Sequence, residues 1–292
     1  MTITVAQWNL EHDGGPDGAR WEQAHEILRA HQPDIVLRQE MTYSHQRGQQ
    51  RLHATEHILR LRGFLAPPTP ESPNATALFV NPKLFQVDAV YPHHTLWWHP
   101  MNNVVAYFQD CPRPLSLGSF HLCSHDADTR LTEARRMTTL ARPGMVSLIA
   151  GDCNSYPSNP EPGIPLPDWD KVTDRAHMVH RTYLSSTGER HSDIRPDIVL
   201  TDACFEDLAR YAADHLGQLH ALAPTAGQCK PSQGGPQRID RGYAFGGLAA
   251  ALEDVEIIDT KETREVGDHS LGIFRFNRGR VRRLLREAPP AA

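Results

Sequence analysis

The sequence predicts an α/β sandwich folded as one domain. Two observations point there: short apolar runs bounded by turn residues recur along the chain, and a few amphipathic helical stretches lie between them. A third is that neither an internal repeat nor a sharp break in composition divides the 292 residues, a length that can bury a sizeable core.

Taken in order, Thr2–Leu10 alternates and reads as a strand. Arg20–His31 carries apolar residues at helical spacing and stops ahead of Pro33. Asp34–Leu37 is a second, buried strand that runs into Arg38-Gln39-Glu40, and His45–Leu61 is a charged amphipathic helix. Strand-like runs follow at Ala75–Val80, Leu84–Tyr91, Val104–Gln109 and Leu115–Leu122. Asp128–Arg142 fits a helix and Met145–Ala150 another strand. From Ser155 to about Asp168 the chain is rich in Pro, Asn and Ser and must be loop. Thr201–Leu216 reads as a helix and Ala221–Pro236 as loop, before strands at Gln237–Phe245, Val255–Thr260 and Leu271–Phe276. The domain is expected over residues 1–276. Asn277–Ala292, basic and then Pro/Ala-rich, is expected to be a surface helix or a frayed tail.

Hydrophobic residues at 39% and charged residues at 22% are ordinary for a soluble globular protein. A formal net charge of −5 argues against a protein that holds nucleic acid by bulk charge, though it leaves room for a local basic patch. The N-terminus lacks the basic start and apolar run of a secretory signal, and no apolar stretch is long enough to span a bilayer. A cytoplasmic protein without a membrane anchor is therefore expected. The cysteines Cys111, Cys123, Cys153, Cys204 and Cys229 are odd in number, scattered and lack a Cys-x-x-Cys spacing, which suits reduced thiols. Nothing in the sequence implies an obligate protein partner.

Polar residues gather where the strands end. The first strand runs into Trp8-Asn9-Leu10-Glu11 and the second into Gln39-Glu40. Later strands lead to Phe120-His121-Leu122, Gly151-Asp152-Cys153-Asn154, Arg238-Ile239-Asp240 and Gly267-Asp268-His269-Ser270. Any one of these alone would be read as a turn cap. Their order and spacing together resemble the endonuclease/exonuclease/phosphatase superfamily of metal-dependent phosphoesterases, which includes deoxyribonucleases, abasic-site endonucleases, sphingomyelinases and inositol polyphosphate phosphatases. The match spans Asn9 to His269. The resemblance implies a catalytic domain built as a four-layer α/β/β/α sandwich, with two packed, mostly antiparallel sheets flanked by helices.

Phosphodiesters resist hydrolysis because their negative charge repels nucleophiles, so a catalyst needs an electrophile, an activated water and relief for the leaving oxygen. Glu40 offers a hard carboxylate oxygen suited to Mg²⁺ or Mn²⁺, and Asp268 and Glu11 offer further carboxylates. By resemblance, Asp152 orients or deprotonates the attacking water, and Asn154 and Asn9 present neutral amides to the phosphate. His269 resembles the family's phosphate-contacting histidine, with Asp240 as the carboxylate that sets its tautomer and favours its cation. His121 resembles a second histidine of the deoxyribonuclease-like branch, which contacts phosphate or protonates the leaving group. The run departs from the family in having Ser270-Leu271-Gly272 after Asp268-His269, where a proline is usual. Thr225 aligns loosely with a family threonine upstream of the Arg-x-Asp motif.

The expected substrate is a phosphodiester, in DNA or RNA before a small metabolite or lipid head group. Arg38, Arg47, Arg51, Arg130, Arg181, Arg190 and Arg241 are candidates to track a phosphate backbone, with Trp97, Trp98 and Tyr183 as stacking groups. Two other readings are weaker. His93, His94 and His99 invite zinc, but lie among Pro92, Trp97, Trp98 and Pro100 in what reads as an apolar loop. A catalytically inactive scaffold would be expected to have lost Glu40, Asp152 or His269, and all three are present.

Overall fold

The computed structural model describes residues 1–287; residues 288–292, the Pro/Ala-rich end, lie outside the described part. Thr2–Asn9 (β1), Ile35–Gln39 (β2), Arg62–Ala66 (β3), Thr76–Val80 (β4), Leu252–Ile258 (β13) and Leu271–Asn277 (β14) form one sheet in the order β13-β14-β1-β2-β4-β3. Phe85–His93 (β5), Met101–Phe108 (β6), Pro114–His121 (β7), Ser147–Asp152 (β8), Glu206–Asp207 (β11) and Asp240–Phe245 (β12) form the other in the order β11-β12-β8-β7-β6-β5. Pairing is antiparallel except for β1 with β2 and β7 with β8. Thr182–Leu184 (β9) and Arg190–Ser192 (β10) make a separate hairpin.

The period-two alternation of a strand explains the layers. Along β1, Ile3 and Val5 face the second sheet, while Ala6, Trp8 and Leu10 face outward. Ile35 and Leu37, Leu78 and Val80, Leu115 and Leu117, and Leu148 and Ala150 repeat the inward pattern on β2, β4, β7 and β8. The outer face of the first sheet is covered by Ala19–Ala30 (α1), Gln50–Leu59 (α2) and Lys261–Val266 (α7), through Ala24, Leu28, Leu52 and Val266. Ala127–Met137 (α3) and Arg195–Asp202 (α5) cover the second sheet, where Ala134, Met137 and Leu200 meet Phe120, Ile149 and Tyr243. Two six-stranded sheets between helical layers make the four-layer sandwich that the motifs implied.

Several boundaries differ from the sequence reading. Thr201–Leu216 is not one helix. The chain leaves α5 after Asp202, makes the short β11, and starts Leu208–Leu216 (α6) at an Asp207 cap whose side chain accepts from Ala209 N and Arg210 N. The expected helix His45–Leu61 begins only at Gln50, because Gly48 and Gln49 sit at positive φ. β3 and Arg175–Arg181 (α4) have too little periodicity to be read in advance. The five cysteines are free, and among the described residues no helix is long and apolar enough to cross a membrane.

Arg278–Arg286 (α8) belongs to the expected tail, yet buries Val281 and Leu285 in the inter-sheet core. Its arginines face away, two of them pairing with Asp110. Leu285→Ala should therefore cost about 2–5 kcal/mol in urea unfolding, as for any core truncation, whereas exposed Arg283→Ala should stay within about 0.5 kcal/mol. A similar small effect at Leu285 would make the helix an appendage.

Candidate active site

The inward-facing positions change character along each strand. After Val5 comes Gln7 and then Asn9; after Leu37 comes Gln39; after Leu117 come Ser119 and His121; after Ala150 comes Asp152. At this end the inter-sheet layer is polar, and its groups bond across the gap. Gln7 Nε2 donates to Gln39 Oε1 (2.9 Å) and to Asp240 Oδ1 on the opposite sheet (3.2 Å). Gln39 Nε2 donates to Ser119 Oγ (3.0 Å), which donates to the Arg38 carbonyl (3.1 Å).

Register then assembles the second sheet's contribution. His121 pairs with Asp152 across the parallel β7–β8 ladder, and Asp240 pairs with Asp152 from the other side. The three therefore lie in one row. Gly151 is required for this: a Cβ there would collide with the Phe120 carbonyl. Asp268 and His269 arrive on the loop before β14. Trp8, otherwise core, holds that loop by donating its indole N–H to the His269 carbonyl (2.9 Å). Thr225 Oγ1 accepts from the backbone N–H of Ile239 (3.0 Å) and Asp240 (2.9 Å), so this threonine is a brace for the Asp240 strand.

The centre of the site is an ion pair. His269 Nδ1 donates to Asp240 Oδ2 at 2.7 Å, with both side chains nearly excluded from solvent. Burial alone would lower the imidazole pKa, but Asp240 beside it, with Asp152 and Asp268 beyond, pushes it up to about 10. His269 is therefore an imidazolium whose second N–H, at Nε2, lies 3.9 Å from Asp152 and 3.8 Å from Asp268. Asp152 Oδ1 accepts from Asn154 N (2.7 Å), while Oδ2 accepts from Asn9 Nδ2 (3.1 Å) and lies 3.4 Å from His121 Nε2.

His121 is the opposite case. Burial first, then the charges of His269 and Arg181, lower it to about 3, so the ring is neutral. Of the two roles the resemblance implies, phosphate contact is the one open to a neutral imidazole. Its ring stacks on His99 at 4.0 Å and 17°, and His99 Nδ1 bonds Ser72 Oγ at 2.6 Å. His99 thus belongs to this site and not to a cluster with His93 and His94; the stacking has no signature in sequence.

Asn9 and Asn154 also divide. Both hydrogens of the Asn9 amide are committed, to Asp152 and to Glu40 Oε1 (3.4 Å), so Asn9 braces two carboxylates. Asn154 gives one hydrogen to the Leu122 carbonyl (2.8 Å) and keeps the other. Both Asn154 and Glu40 have positive φ, the kind of backbone strain that gathers at functional sites.

Glu40, His99, His121, Asp152, Asn154, His177, Arg181, Lys230, Asp268 and His269 line one cavity of about 220 Å³. Glu40 accepts from His12 N (2.9 Å), and burial raises its carboxyl pKa. Asp268 is held below the usual range, against burial, by His269 and by Lys230, whose Nζ lies 2.6 Å from Oδ2. Glu11 is not brought in. Its carboxylate takes Arg20 at 2.8 Å, outside the cavity. The donor set Glu40, Asp268 and the partnerless buried Asn9 Oδ1 is all hard oxygen, which suits Mg²⁺ or Mn²⁺. Asp152, Asp240 and His269 also place ligand atoms within 4.8 Å of one another, but a protonated imidazole has no lone pair for a metal.

Of the seven arginines singled out in the sequence, only Arg181 lines the cavity. Arg38 and Arg51 pair with Asp13, Arg130 with Asp193, and Arg241 with Asp197, while Arg190 bonds Thr182 and Arg47 is exposed elsewhere. Trp97 is core, Trp98 half-buried, and Tyr183 carries Arg195 at 4.1 Å. Lys230 was missed because it lies in a loop with no motif.

Comparison with known proteins gives the family and the fold. Residues 6–250 match the Endonuclease/Exonuclease/phosphatase family. The fold is similar to that of an AP endonuclease from Archaeoglobus fulgidus (15% identity, TM-score 0.63, covering 94% of this chain and 99% of that one). It is similar to D. rerio TDP2 complexed with single strand DNA product (13% identity, TM-score 0.61, covering 94% and 99%). The human Nocturnin catalytic domain with bound sulfate anion is a third (15% identity, TM-score 0.58, covering 94% and 93%). No curated protein matches the chain in sequence.

A pH dependence follows from the ion pair. The folded-state pKa of His269 lies above its ordinary 6.5, so the stability it contributes is fully present below about pH 6.5 and lost as pH rises through about 10. An NMR titration of the metal-free protein should show His269 still protonated at pH 8, and Asp240→Asn should bring its pKa down toward the ordinary value. Titration near 6.5 in the unsubstituted protein would mean that the pair does not form.

Proposed function

The chain belongs to the endonuclease/exonuclease/phosphatase family of phosphoester hydrolases, and from that premise we propose that it hydrolyses a phosphodiester, in nucleic acid, with Mg²⁺ or Mn²⁺. The observation that carries the reading is the buried Asp240–His269 ion pair converging with Asp152 on a cavity that also holds Glu40 and Asp268. Glu40 and Asp268 would hold the cation, with Asn9 fixing the Glu40 carboxylate; Glu11, already paired with Arg20, stays out. The cation, when bound, supplies Lewis acidity toward a phosphoryl oxygen.

The remaining steps belong to the chain's own residues. The His269 imidazolium donates its Nε2 hydrogen to a phosphoryl oxygen, and the free Asn154 N–H donates to another. Asp152, fixed by Asn9 and Asn154, takes a proton from the water that attacks phosphorus in line, as the opposite P–O bond breaks and the leaving alkoxide takes a proton from solvent. The neutral His121 donates a hydrogen bond without adding charge, its ring held by the stack on His99. General base assistance of the kind assigned to Asp152 is worth about 10²–10⁴-fold.

Charge supports a diester over a monoester. Counted formally, His269, Arg181 and Lys230 face Glu40, Asp152, Asp240 and Asp268, which leaves one negative charge. A divalent cation turns that into one positive charge, the complement of a phosphodiester monoanion. Nucleic acid is favoured by half-exposed rings on the His121 side, where Trp98 meets His125 edge-on at 4.2 Å and can stack a base. The free cysteines suit a cytoplasmic setting.

Chelation should abolish hydrolysis of bis(p-nitrophenyl) phosphate, and Mg²⁺ or Mn²⁺ should restore it. Glu40→Gln should weaken cation binding by at least tenfold in calorimetry. Undiminished turnover in chelator would sink the metal assignment. With Mg²⁺, the protein should also nick supercoiled plasmid, more slowly as salt rises and about 10²-fold more slowly in His121→Ala, the loss typical of one hydrogen-bond donor. Rapid phosphate release from a small monoester, with no nicking at any salt, would move the assignment to a metabolite phosphatase.

A further inference from the structure

Arg181 is the one cavity cation with no counterpart in the structure. Lys230 is paired with Asp268 and His269 with Asp240, but among the described residues the Arg181 guanidinium makes no hydrogen bond and no ion pair. Its Nε and Nη1 are buried and orphaned. Other arginines with an orphaned nitrogen, such as Arg38, Arg195, Arg238 and Arg241, have a carboxylate partner elsewhere on the guanidinium. A buried guanidinium keeps its charge, and leaving its donors unmade is unfavourable unless an anion completes them.

The backbone that carries it is fixed at both ends. At the start of α4, Asp174 caps His177 N (3.0 Å), accepts from Gln233 Nε2 (3.0 Å), and donates its own N–H to the Ser232 carbonyl (2.9 Å). At its end, Arg130 Nη2 donates to the His180 carbonyl (2.8 Å) and Asp193 N to the Arg181 carbonyl (3.0 Å). Arg130 and Asp193 are themselves a fully buried ion pair at 3.0 Å, and Arg195 adds a second contact to Asp193 at 2.8 Å. His177 and Arg181, four apart on α4, present one face to the cavity.

We propose that Arg181 is a catalytic residue that grips non-bridging oxygens of the scissile phosphate through its planar N–H fork. The proposal rests on the phosphodiesterase reading above and deepens it. α4 lies outside the motifs on which the resemblance to the family rests. A donor preset in a water-poor cavity stabilises charge that develops on the phosphoryl oxygens without reorganising. A planar fork also binds two oxygens at once, which an ammonium cannot.

The test uses Arg181→Ala and Arg181→Lys in the full chain, with thermal unfolding to confirm that both fold. On bis(p-nitrophenyl) phosphate with Mg²⁺, Arg181→Ala should lose about 10²–10³ in kcat, the loss typical of one transition-state donor, and Arg181→Lys should recover only part of it. The independent readout is binding of dimethyl phosphate, which is not cleaved on this time scale. Its titration should shift the ¹⁵N-arginine Nε–H resonance of Arg181, and Arg181→Ala should bind it at least tenfold more weakly. A wild type that cleaves the diester, with the resonance unmoved and both variants at wild-type rates, overturns the proposal and leaves the hydrolase reading intact. A protein that binds dimethyl phosphate through Arg181 yet cleaves no phosphoester supports the contact and overturns the hydrolase reading. One that neither binds nor cleaves overturns both.

Discussion

Everything in this molecule depends on two sheets packing face to face with inner surfaces that are apolar at one end and polar at the other. Because a strand alternates faces, the residues that fill the core and those that form the cavity lie on the same side of the same strands. Ile3 and Val5 lead to Gln7 and Asn9, and Leu148 and Ala150 lead to Asp152. The hydrophobic layer that holds the sandwich together therefore also sets how far apart the polar groups of the cavity stand. The crossing from Gln7 to Asp240 and from Gln39 to Ser119 marks where one regime passes into the other. Each of these buried polar groups is matched across the gap, as burial away from water requires.

The electrostatics follow from that placement. Histidines a few ångströms apart are driven in opposite directions: His269 up to about 10 by its carboxylate neighbours, His121 down to about 3 by burial and by the charge of His269 itself. Pairs of groups pushed apart in this way separate a fixed cation from a neutral donor. The strain at Glu40 and Asn154, both at positive φ, is held by the same framework, since each leaves the end of an inner strand held in register by its neighbours.

The family motifs were legible because each occupies a strand end, where local sequence and local structure coincide. Asn9, Glu40, His121, Asp152, Asn154, Asp268 and His269 all reach the cavity or its immediate support, with Asp240 behind His269. Glu11 shows the limit of that logic: two residues past Asn9 the strand has ended, and the carboxylate turns to Arg20 on α1. The arginines show it again. A guanidinium reaches far from its backbone, so sequence position says little about which carboxylate it meets, and six of seven candidates were committed elsewhere or exposed away from the cavity. His99 and Lys230 were not legible at all, because stacking on His121 and pairing with Asp268 join segments far apart in the chain.

By itself the sequence determined the layered α/β architecture, the order of most strands, and the family motifs whose polar residues the fold gathers at one end of the sheets. Alternation and turn chemistry are local, and a series of motifs in a set order constrains a fold even when each motif is short. Only the tertiary structure decided the charge states of the two histidines, the exclusion of Glu11, the role of Asn9 as a brace, and the presence of Arg181 without a partner. Those properties depend on burial and on distances between residues remote in sequence, and both come into being only when the two sheets close on each other.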